Sequence, residues 1–310
     1  MKIVYMGTPD FAVPALKALC QAGGCEVQAA VTQPDKAKDR GKKIQFTPVK
    51  EAALSMGVLT LQPEKVKGNQ EFYRELSALA PDLIVVAAYG KILPVEILSI
   101  PPLGCVNIHA SLLPKYRGAA PIHRAIIDGE EETGVTLMYM ARGMDTGDMI
   151  AKAKTPIGSK TVSQLHQELA EMGAELLLEQ LPLIGGGTAD RIPQKEEEAT
   201  YAPMIFKQEC FVDFKKSPKA IQRLIQGTNS WPGAYTLYQG EAMKLWEARA
   251  LAEKTQAADG TVLRADRDGL AVAAAGGVVL VKKLQLPGKR AMTVEDYLKG
   301  NKIEIYSVLG

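Results

Sequence analysis

The chain has 310 residues, of which 46% are hydrophobic and 23% are charged, and its formal net charge is only +2. This length favours two domains, and the hydrophobic content is ordinary for a globular protein. No apolar run approaches the ~20 residues that a membrane-spanning helix needs, and the amino terminus lacks the apolar core of a secretion signal. The four cysteines show neither metal-site nor disulfide-scaffold spacing, so a reduced, cytoplasmic location is the default expectation.

The first half of the chain alternates strand and helix patterns. Short apolar runs predict strands at 2–6, 26–32, 83–88, 104–109, 135–140 and 149–154, and amphipathic spacing predicts helices at 14–21 and 69–79. This alternation is typical of a Rossmann-like α/β fold with a doubly wound, mostly parallel sheet. Ligands of such sheets bind at the carboxyl ends of the strands. We therefore expect a site at the loop after Ala88 and at the ends of the strands near Asn107 and Met140.

The second half changes character after a helix that opens with the capping-box sequence at 161–164 and runs toward Leu181. Residues 190–207 have the composition of a linker. Beyond them, a helix at 217–226 and short runs at 234–238, 243–249, 260–264, 270–273 and 278–284 predict a small antiparallel β-domain, an OB-like β-barrel. We therefore predict domains at 1–189 and 208–310. Residues 208–310 carry fifteen basic and eleven acidic side chains, which suits a polyanion partner or an ordinary solvated surface.

Three polar residues near predicted strand ends, Asn107, His109 and Asp145, form the most informative group. Asn107, His109 and Ser111 alternate at the end of an apolar run, which places them on one face of an extended segment. An Asn amide can donate to a developing oxyanion, a His can stabilise that charge and move protons, and an Asp can orient the imidazole and favour its charged form. This combination indicates acyl transfer without a nucleophile or a metal.

The surroundings of this group strengthen that interpretation. Arg117 lies in a predicted irregular loop and is expected to be an available cation, and Gly143 and Gly147 are expected to let the backbone approach a ligand. His123 and His166 are expected to be ordinary helix residues.

Other motifs exclude competing chemistries. The turn after the first strand, Gly7–Phe11, has one glycine where a dinucleotide site needs several, so Thr8 or Asp10 is expected to cap a helix there. No ligands occur at zinc-finger or HExxH spacing, which argues against a zinc site. Ser111 lies outside any G-x-S-x-G sequence and is not expected to be a nucleophile.

A basic run occupies residues 36–43, with Lys36, Lys38, Arg40, Lys42 and Lys43. We expect an exposed loop that leaves the second strand toward the edge that carries the polar group. Such a loop suits contact with nucleic-acid phosphates, and a solvated surface loop is the alternative.

At Asn107, His109, Ser111–Pro114 and Asp145–Asp148 the chain resembles the formyltransferase family that uses 10-formyltetrahydrofolate. Gly7–Phe11, the run from Thr32 to Lys50, and the C-terminal β-domain are similar to the branch of that family that acts on methionyl-tRNA. The resemblance covers essentially the whole chain and is looser after Ala250.

The resemblance implies transfer of a formyl group from 10-formyltetrahydrofolate to the α-amine of methionine on initiator methionyl-tRNA, with catalysis by Asn107, His109 and Asp145. The implied folate-site residues are Ser111, Leu112, Leu113 and Pro114, with the backbone of Val86, Ala87, Ala88 and Tyr89 receiving the pterin ring. The implied tRNA contacts are Lys36, Lys38, Arg40, Lys42, Lys43 and the β-domain.

The resemblance further implies a monomer with no metal and no DNA or membrane partner. The alternatives are a formyltransferase for an amino-sugar nucleotide or another small amine such as glycinamide ribonucleotide, a nucleotide-binding oxidoreductase, and a non-catalytic RNA-binding protein.

Overall fold

The computed structural model describes residues 1–38 and 43–310. Contacts within the chain divide it into two compact units. The first unit contains residues 1–118, 133–155 and 166–201, and the second contains 119–132, 156–165 and 202–310. Two short segments, 119–132 and 156–165, thus belong to the unit that is built mainly by the C-terminal residues.

Among residues 1–38 and 43–201, the structure has nine strands. They are β1 (Lys2–Gly7), β2 (Glu26–Val31), β3 (Lys36–Lys38), β4 (Lys43–Gln45), β5 (Leu59–Leu61), β6 (Leu83–Ala87), β7 (Cys105–His109), β8 (Glu132–Tyr139) and β9 (Met149–Pro156). Seven of them form one sheet in the order β5-β2-β1-β6-β7-β8-β9. The five neighbouring strands β5, β2, β1, β6 and β7 run parallel to one another. This confirms the predicted, mostly parallel α/β sheet.

Strand β8 departs from the parallel arrangement. It runs antiparallel to β7, so that its last residue, Tyr139, pairs with Val106 near the start of β7. We expected the end of this strand to lie at the same edge as the end of β7, and that expectation is wrong. Only the loop between β8 and β9 brings Asp145 back to the carboxyl end of β7.

In the same described ranges, six α-helices accompany these strands. They are α1 (Val13–Gln21), α2 (Pro48–Ser55), α3 (Gln70–Ala78), α4 (Val95–Leu98), α5 (Pro121–Asp128) and α6 (Val162–Gly185). Side-chain caps explain two starts, because Thr47 accepts from the Lys50 amide and Asn69 accepts from the Phe72 amide. Within the part of the chain that the structure describes, no helix is long and apolar enough to cross a membrane.

The turn after β1 differs from the expectation that Thr8 or Asp10 caps a helix. The 3-10 turn at Asp10–Ala12 and the following α1 both begin without a side-chain cap. The Thr8 hydroxyl instead donates to the carbonyl oxygen of Tyr89 at 3.0 Å. Thr8 therefore links the loop after β1 to the loop after β6.

The second unit is built on an antiparallel sheet. Its strands are β10 (Tyr235–Tyr238), β11 (Glu241–Lys254), β12 (Val262–Asp266), β13 (Gly269–Ala274), β14 (Gly277–Gln285) and β15 (Met292–Thr293), with helices α7 (Pro218–Gly227) and α8 (Val294–Leu298). The order is β10-β11-β14-β13-β12, and β15 pairs with β14. Register shifts along the β11–β14 pair let the fourteen-residue β11 curve. The predicted small OB-like β-domain is confirmed, although β11 is longer than the run at 243–249.

The basic run is not a simple loop. Strands β3 and β4 pair in antiparallel fashion, with Lys36 opposite Gln45 and Lys38 opposite Lys43. The sequence contains no turn dipeptide at its centre that would have indicated this hairpin. Arg40 and Lys42 of the predicted tRNA contacts lie outside the described residues.

Candidate active site

His109 is the last residue of β7, and 5% of it is exposed. Its Nε2 lies 3.0 Å from the carbonyl oxygen of Tyr116, and its Nδ1 lies 3.6 Å from Oδ1 of Asp145. A carbonyl oxygen only accepts, so Nε2 carries a hydrogen. The other ring nitrogen faces a carboxylate, which also only accepts. The imidazolium form is the one that presents a hydrogen to both neighbours.

Asp145 is held in an unusual backbone conformation, with φ at +53°. Its Oδ2 accepts a hydrogen bond from the Gly118 amide at 2.8 Å, while Oδ1 faces His109. Non-glycine residues in the left-handed region cost about 1–3 kcal/mol and cluster at functional sites. The structure therefore brings two of the three predicted catalytic residues together and gives each carboxylate oxygen of Asp145 its own neighbour.

The glycines beside Asp145 serve the loop itself. A Cβ on Gly147 would lie 1.8 Å from the Tyr139 carbonyl oxygen, and one on Gly143 would lie 2.4 Å from Oγ1 of Thr146. We expected these glycines to admit a ligand. In the structure, Gly147 lets the loop pass close to the backbone at the end of β8, and Gly143 makes room for the Thr146 side chain.

Asn107 lies two residues before His109 on β7, so both side chains project from the same face of the strand. It is half-buried. Among residues 1–38 and 43–310, its carboxamide makes no hydrogen bond of the kind that holds His109 and Asp145. Its N–H donors are therefore available to a bound substrate.

The segment after β7 is fastened by its own backbone. The Ser111 hydroxyl donates to the Lys115 carbonyl oxygen at 2.7 Å. Thr136 donates to the Ser111 carbonyl oxygen and accepts from the Leu113 amide. The side chains of Ser111 and Leu113 are buried, which leaves half-buried Leu112 as the more accessible of the two leucines. Sequence reasoning missed Thr136. Its role depends on strand pairing, which places it opposite His109 on β8.

The loop after β6 begins with buried Val86 and Ala87, which are strand residues. Ala88 follows with φ at +45° and is exposed. The carbonyl oxygen of Tyr89 accepts from Thr8 and from Nε2 of Gln33, each at 3.0 Å. The three loops that follow β1, β2 and β6 are thus joined at one carbonyl group.

The Tyr89 side chain is itself unusual. Its hydroxyl is buried and has no hydrogen-bond partner in the described part of the chain. Burial raises the pKa of Tyr89 to about 12, so the phenol stays protonated at neutral pH. A buried donor without a partner is costly, which makes this hydroxyl a candidate for contact with a ligand or a bound water.

A groove of about 660 Å³ lies directly beyond this loop. Its cationic lining residues are Lys65, Lys67, Lys91 and Arg142, and its apolar ones include Ile92 and Val95. Arg142 belongs to the same β8–β9 loop as Asp145. Such a mixture suits a flat apolar ring system that carries anionic groups. The run Lys91–Val95 was missed in the sequence because it resembles an ordinary turn before α4.

Arg117 is not the available cation that we expected. It is 1% exposed, and its guanidinium donates to Oε1 of Gln194 at 3.0 Å and to both carboxylate oxygens of Glu196 at 2.8 and 3.0 Å. A buried arginine with this many partners is a structural element of the loop and is not free to bind a substrate.

The remaining histidines lie in helices, as predicted. His123 is in α5, where its Nδ1 lies 2.8 Å from the Gly227 carbonyl oxygen. His166 is in α6, where burial lowers its pKa and its ring contacts the edge of Phe11. No group of three or more His, Cys, Asp or Glu side chains in the described residues is arranged to hold a metal ion.

The fold and the site define a formyl-group transferase. Residues 1–181 match the family model described as formyl transferase, and residues 204–302 match its C-terminal domain. The chain therefore belongs to the formyl transferase family, which confirms the resemblance drawn from Asn107, His109 and Asp145. Over 312 residues it is 51% identical to a methionyl-tRNA formyltransferase from Acetivibrio thermocellus, with the whole of both chains covered.

Solved structures show the same fold at lower identity. An N-formyltransferase from Helicobacter canadensis, in complex with folinic acid and dTDP-3-aminofucose, is 18% identical with a TM-score of 0.69, covering 91% of this chain and 98% of that one. HypX from Aquifex aeolicus, in complex with tetrahydrofolic acid, is 20% identical with a TM-score of 0.63. The match covers 99% of the present chain, which spans about half of that protein, 50% of its length.

Proposed function

We propose that this protein transfers the formyl group of 10-formyltetrahydrofolate to the α-amine of methionine on initiator methionyl-tRNA. The observation that carries the proposal is the free carboxamide of Asn107, two residues from an imidazole whose ring nitrogens face a carbonyl and a carboxylate. The full-length similarity to methionyl-tRNA formyltransferases supports the choice of acceptor.

In the first step, the neutral α-amine attacks the formyl carbon, a C–N bond forms and the carbonyl electron pair moves to oxygen. An α-amine has a pKa near ~8 in peptides, so about a tenth of it is already neutral near pH 7 and a strong base is not required. Asn107 donates a hydrogen bond to the oxyanion. Both nitrogens of His109 already face acceptors, so in this arrangement His109 stabilises the oxyanion by its positive charge.

In the second step, the oxyanion returns its electrons and the bond between the formyl carbon and the folate nitrogen breaks. The attacking amine loses one proton, and the departing nitrogen gains one. Asp145 assists this transfer through a water on the substrate side, with its Oδ1 facing the imidazole at 3.6 Å. The residues of the chain end the cycle in their starting protonation states.

The formyl donor fits the groove beside the loop after β6. The backbone of Val86–Tyr89 and the segment Ser111–Pro114 border the carboxyl ends of β6 and β7, where the donor's ring would lie. The cations of the groove supply charge partners for the donor's carboxylates, and its apolar side chains supply contacts for the ring system.

The hairpin of β3 and β4 is the proposed contact for the tRNA backbone, through Lys36, Lys38, Arg40, Lys42 and Lys43. Its base is anchored by Asp35, which pairs with Lys50 and accepts from Gln62 at 2.9 Å. Phe46 adds a cation–π contact with Lys50. An anchored segment next to the basic run loses less conformational entropy when a partner binds.

We further propose a cytoplasmic monomer with a catalytic domain at 1–189 and a tRNA-binding domain at 208–310, joined through 190–207. The excess of basic over acidic residues in 208–310 supports contact with a polyanion.

The test is transfer of labelled formyl from 10-formyltetrahydrofolate to three acceptors: initiator methionyl-tRNA, elongator methionyl-tRNA and an amino-sugar nucleotide. Fast, selective labelling of the initiator supports the proposal. Labelling of the sugar nucleotide alone keeps the proposed chemistry and overturns the acceptor. Absence of labelling in all three overturns the proposal.

A further inference from the structure

The segment from Ile192 to Tyr201 is attached to two parts of the site. One is the loop after β7, which contains the carbonyl group that faces His109, and the other is the loop between β8 and β9, which contains Asp145. Ile192 pairs with Met149, and Tyr201 lies in a bridge with Arg117. Between these two points, Gln194 and Thr200 turn toward the site. In the sequence this stretch belongs to an apparent linker, so its polar residues have no role in the mechanism above.

Gln194 makes three directed hydrogen bonds. Its Nε2 donates to the carbonyl oxygen of Asp145 at 2.7 Å and to that of Gly147 at 2.8 Å. Its Oε1 accepts from the buried Arg117 at 3.0 Å. Because Arg117 is also held by Glu196, the amide plane of Gln194 is fixed, and both of its hydrogens point into the Asp145 loop.

Thr200 acts on the other side of His109. Its Oγ1 accepts from the Tyr116 amide at 2.9 Å, and its carbonyl oxygen accepts from the Arg117 amide at 2.8 Å. Tyr116 has φ at +61° and provides the carbonyl oxygen that His109 faces. The same short segment therefore holds the acceptor for Nε2 and the loop that carries the carboxylate near Nδ1.

We propose that Gln194 is a positioning residue for formyl transfer: it holds Asp145 in its left-handed conformation and thereby keeps the carboxylate against His109. Thr200 likewise holds the backbone of Tyr116, whose carbonyl oxygen faces His109. Without the Gln194 donors, the carbonyl oxygens of Asp145 and Gly147 lose their hydrogen-bond partners. The left-handed backbone of Asp145 is then no longer stabilised against its conformational strain. This inference rests on the proposed function.

The test compares three variants with wild type. Gln194→Ala removes all three hydrogen bonds, and Gln194→Glu keeps the acceptor for Arg117 while removing the donors to the loop. The control is Glu197→Ala, because Glu197 is exposed on the same segment. We expect Gln194→Ala and Gln194→Glu to lower kcat by about tenfold to a hundredfold with nearly unchanged KM for tRNA and folate, since a displacement of ~1 Å costs about that much. Glu197→Ala should keep wild-type kcat.

A double-mutant cycle separates positioning from general damage. In an Asp145→Ala background, Gln194→Ala should lower kcat by less than about threefold, because its effect passes through Asp145. Equal fold-losses in both backgrounds would overturn the inference, as would a normal kcat in Gln194→Ala.

A second readout does not require turnover. A crystal structure of Gln194→Ala should place the Asp145 carboxylate more than about 1 Å farther from His109 than in the wild type. An unmoved carboxylate overturns the inference even if the formyl-transfer assay succeeds. A displaced carboxylate supports it even if all acceptors fail and the proposed function itself is wrong.

Discussion

Nε2 of His109 lies 3.0 Å from the carbonyl oxygen of Tyr116, a neighbour that can only accept a hydrogen bond. This contact fixes which ring nitrogen carries a hydrogen and turns the other nitrogen toward Asp145. A neutral ring would then direct a lone pair at a carboxylate, which is repulsive. Only the doubly protonated ring therefore presents a hydrogen to both neighbours, and Asn107 lies two residues away on the same face of β7.

Asp145→Asn tests this charge relationship. The variant keeps an oxygen for the Gly118 amide but removes the negative charge that faces His109. We expect kcat to fall about 10²–10³-fold. Without the carboxylate of Asp145, the imidazole of His109 loses the partner that supports its positive charge, and that charge is the one proposed to stabilise the oxyanion. Steady-state kinetics of formyl transfer provide the measurement. Asp148→Asn, in the same loop with a side chain that is 40% exposed and lies 3.9 Å from Arg191, should leave kcat unchanged. A near-normal Asp145→Asn would remove Asp145 from the mechanism.

Asn107 is expected to act as a hydrogen-bond donor rather than as a spacer. Asn107→Ala should lower kcat about 10²–10³-fold with the fold intact. Asn107→Asp has nearly the same shape but offers a negative oxygen to a developing negative charge, so it should be slower than Asn107→Ala. If Asn107→Asp is the faster of the two, the donor role is wrong, and circular dichroism on both variants checks that each is folded.

The arrangement of Asn107 and His109 could be predicted from the sequence because it depends only on residues close together along the chain. Alternation along a strand places Asn107 and His109 on one face, and that pattern survives folding unchanged. The contact to Asp145 depends on a loop that crosses back from an antiparallel strand. The sequence grouped Asp145 with Asn107 and His109 by its chemistry and its predicted place at a strand end, but with the wrong strand direction. The partners of His109 and Asp145 at Tyr116 and Gln194 were missed, since backbone carbonyl groups leave no trace in a sequence.

Longer-range features were missed for a related reason. Helix α5 belongs to the second compact unit although its sequence lies amid the α/β strands. Its apolar face resembles that of any amphipathic helix, so its periodicity predicts a helix without identifying what it packs against. Arg117 illustrates the same limit, because a cation in a glycine-containing loop is expected to be exposed until Glu196 and Gln194 are found beside it.

Arg40→Ala tests the hairpin as a contact for the tRNA backbone. Loss of one phosphate contact should raise the apparent KM for tRNA and reduce the salt dependence of log KM by about one unit of slope. The KM for folate should not change. Lys17→Ala removes an exposed cation from α1 and should leave both tRNA parameters as they are. An unaltered KM for tRNA in Arg40→Ala would leave the hairpin without a role in tRNA binding.

The ion pair of Asp35 with Lys50 should make the anchor of the hairpin sensitive to acid. Burial alone would raise the pKa of the Asp35 carboxyl, but hydrogen bonds from Lys50 and Gln62 outweigh it and hold the pKa below its ordinary value. A carboxyl whose pKa is lower in the folded state stabilises the fold above its unfolded pKa of about 3.9. That contribution disappears as the pH falls through the lower, folded pKa.

Asp35→Asn should therefore lower the free energy of unfolding by about 1.5–3 kcal/mol at pH 7, the usual size for a hydrogen bond to a charged group. The difference between wild type and variant should shrink below about pH 4 and vanish at still lower pH. Urea unfolding from pH 7 down to pH 3 measures it, with Asp190→Asn at an exposed position as the control. A difference that stays constant over this range would mean that shape or hydrogen-bond geometry, and not the charge of Asp35, anchors the hairpin.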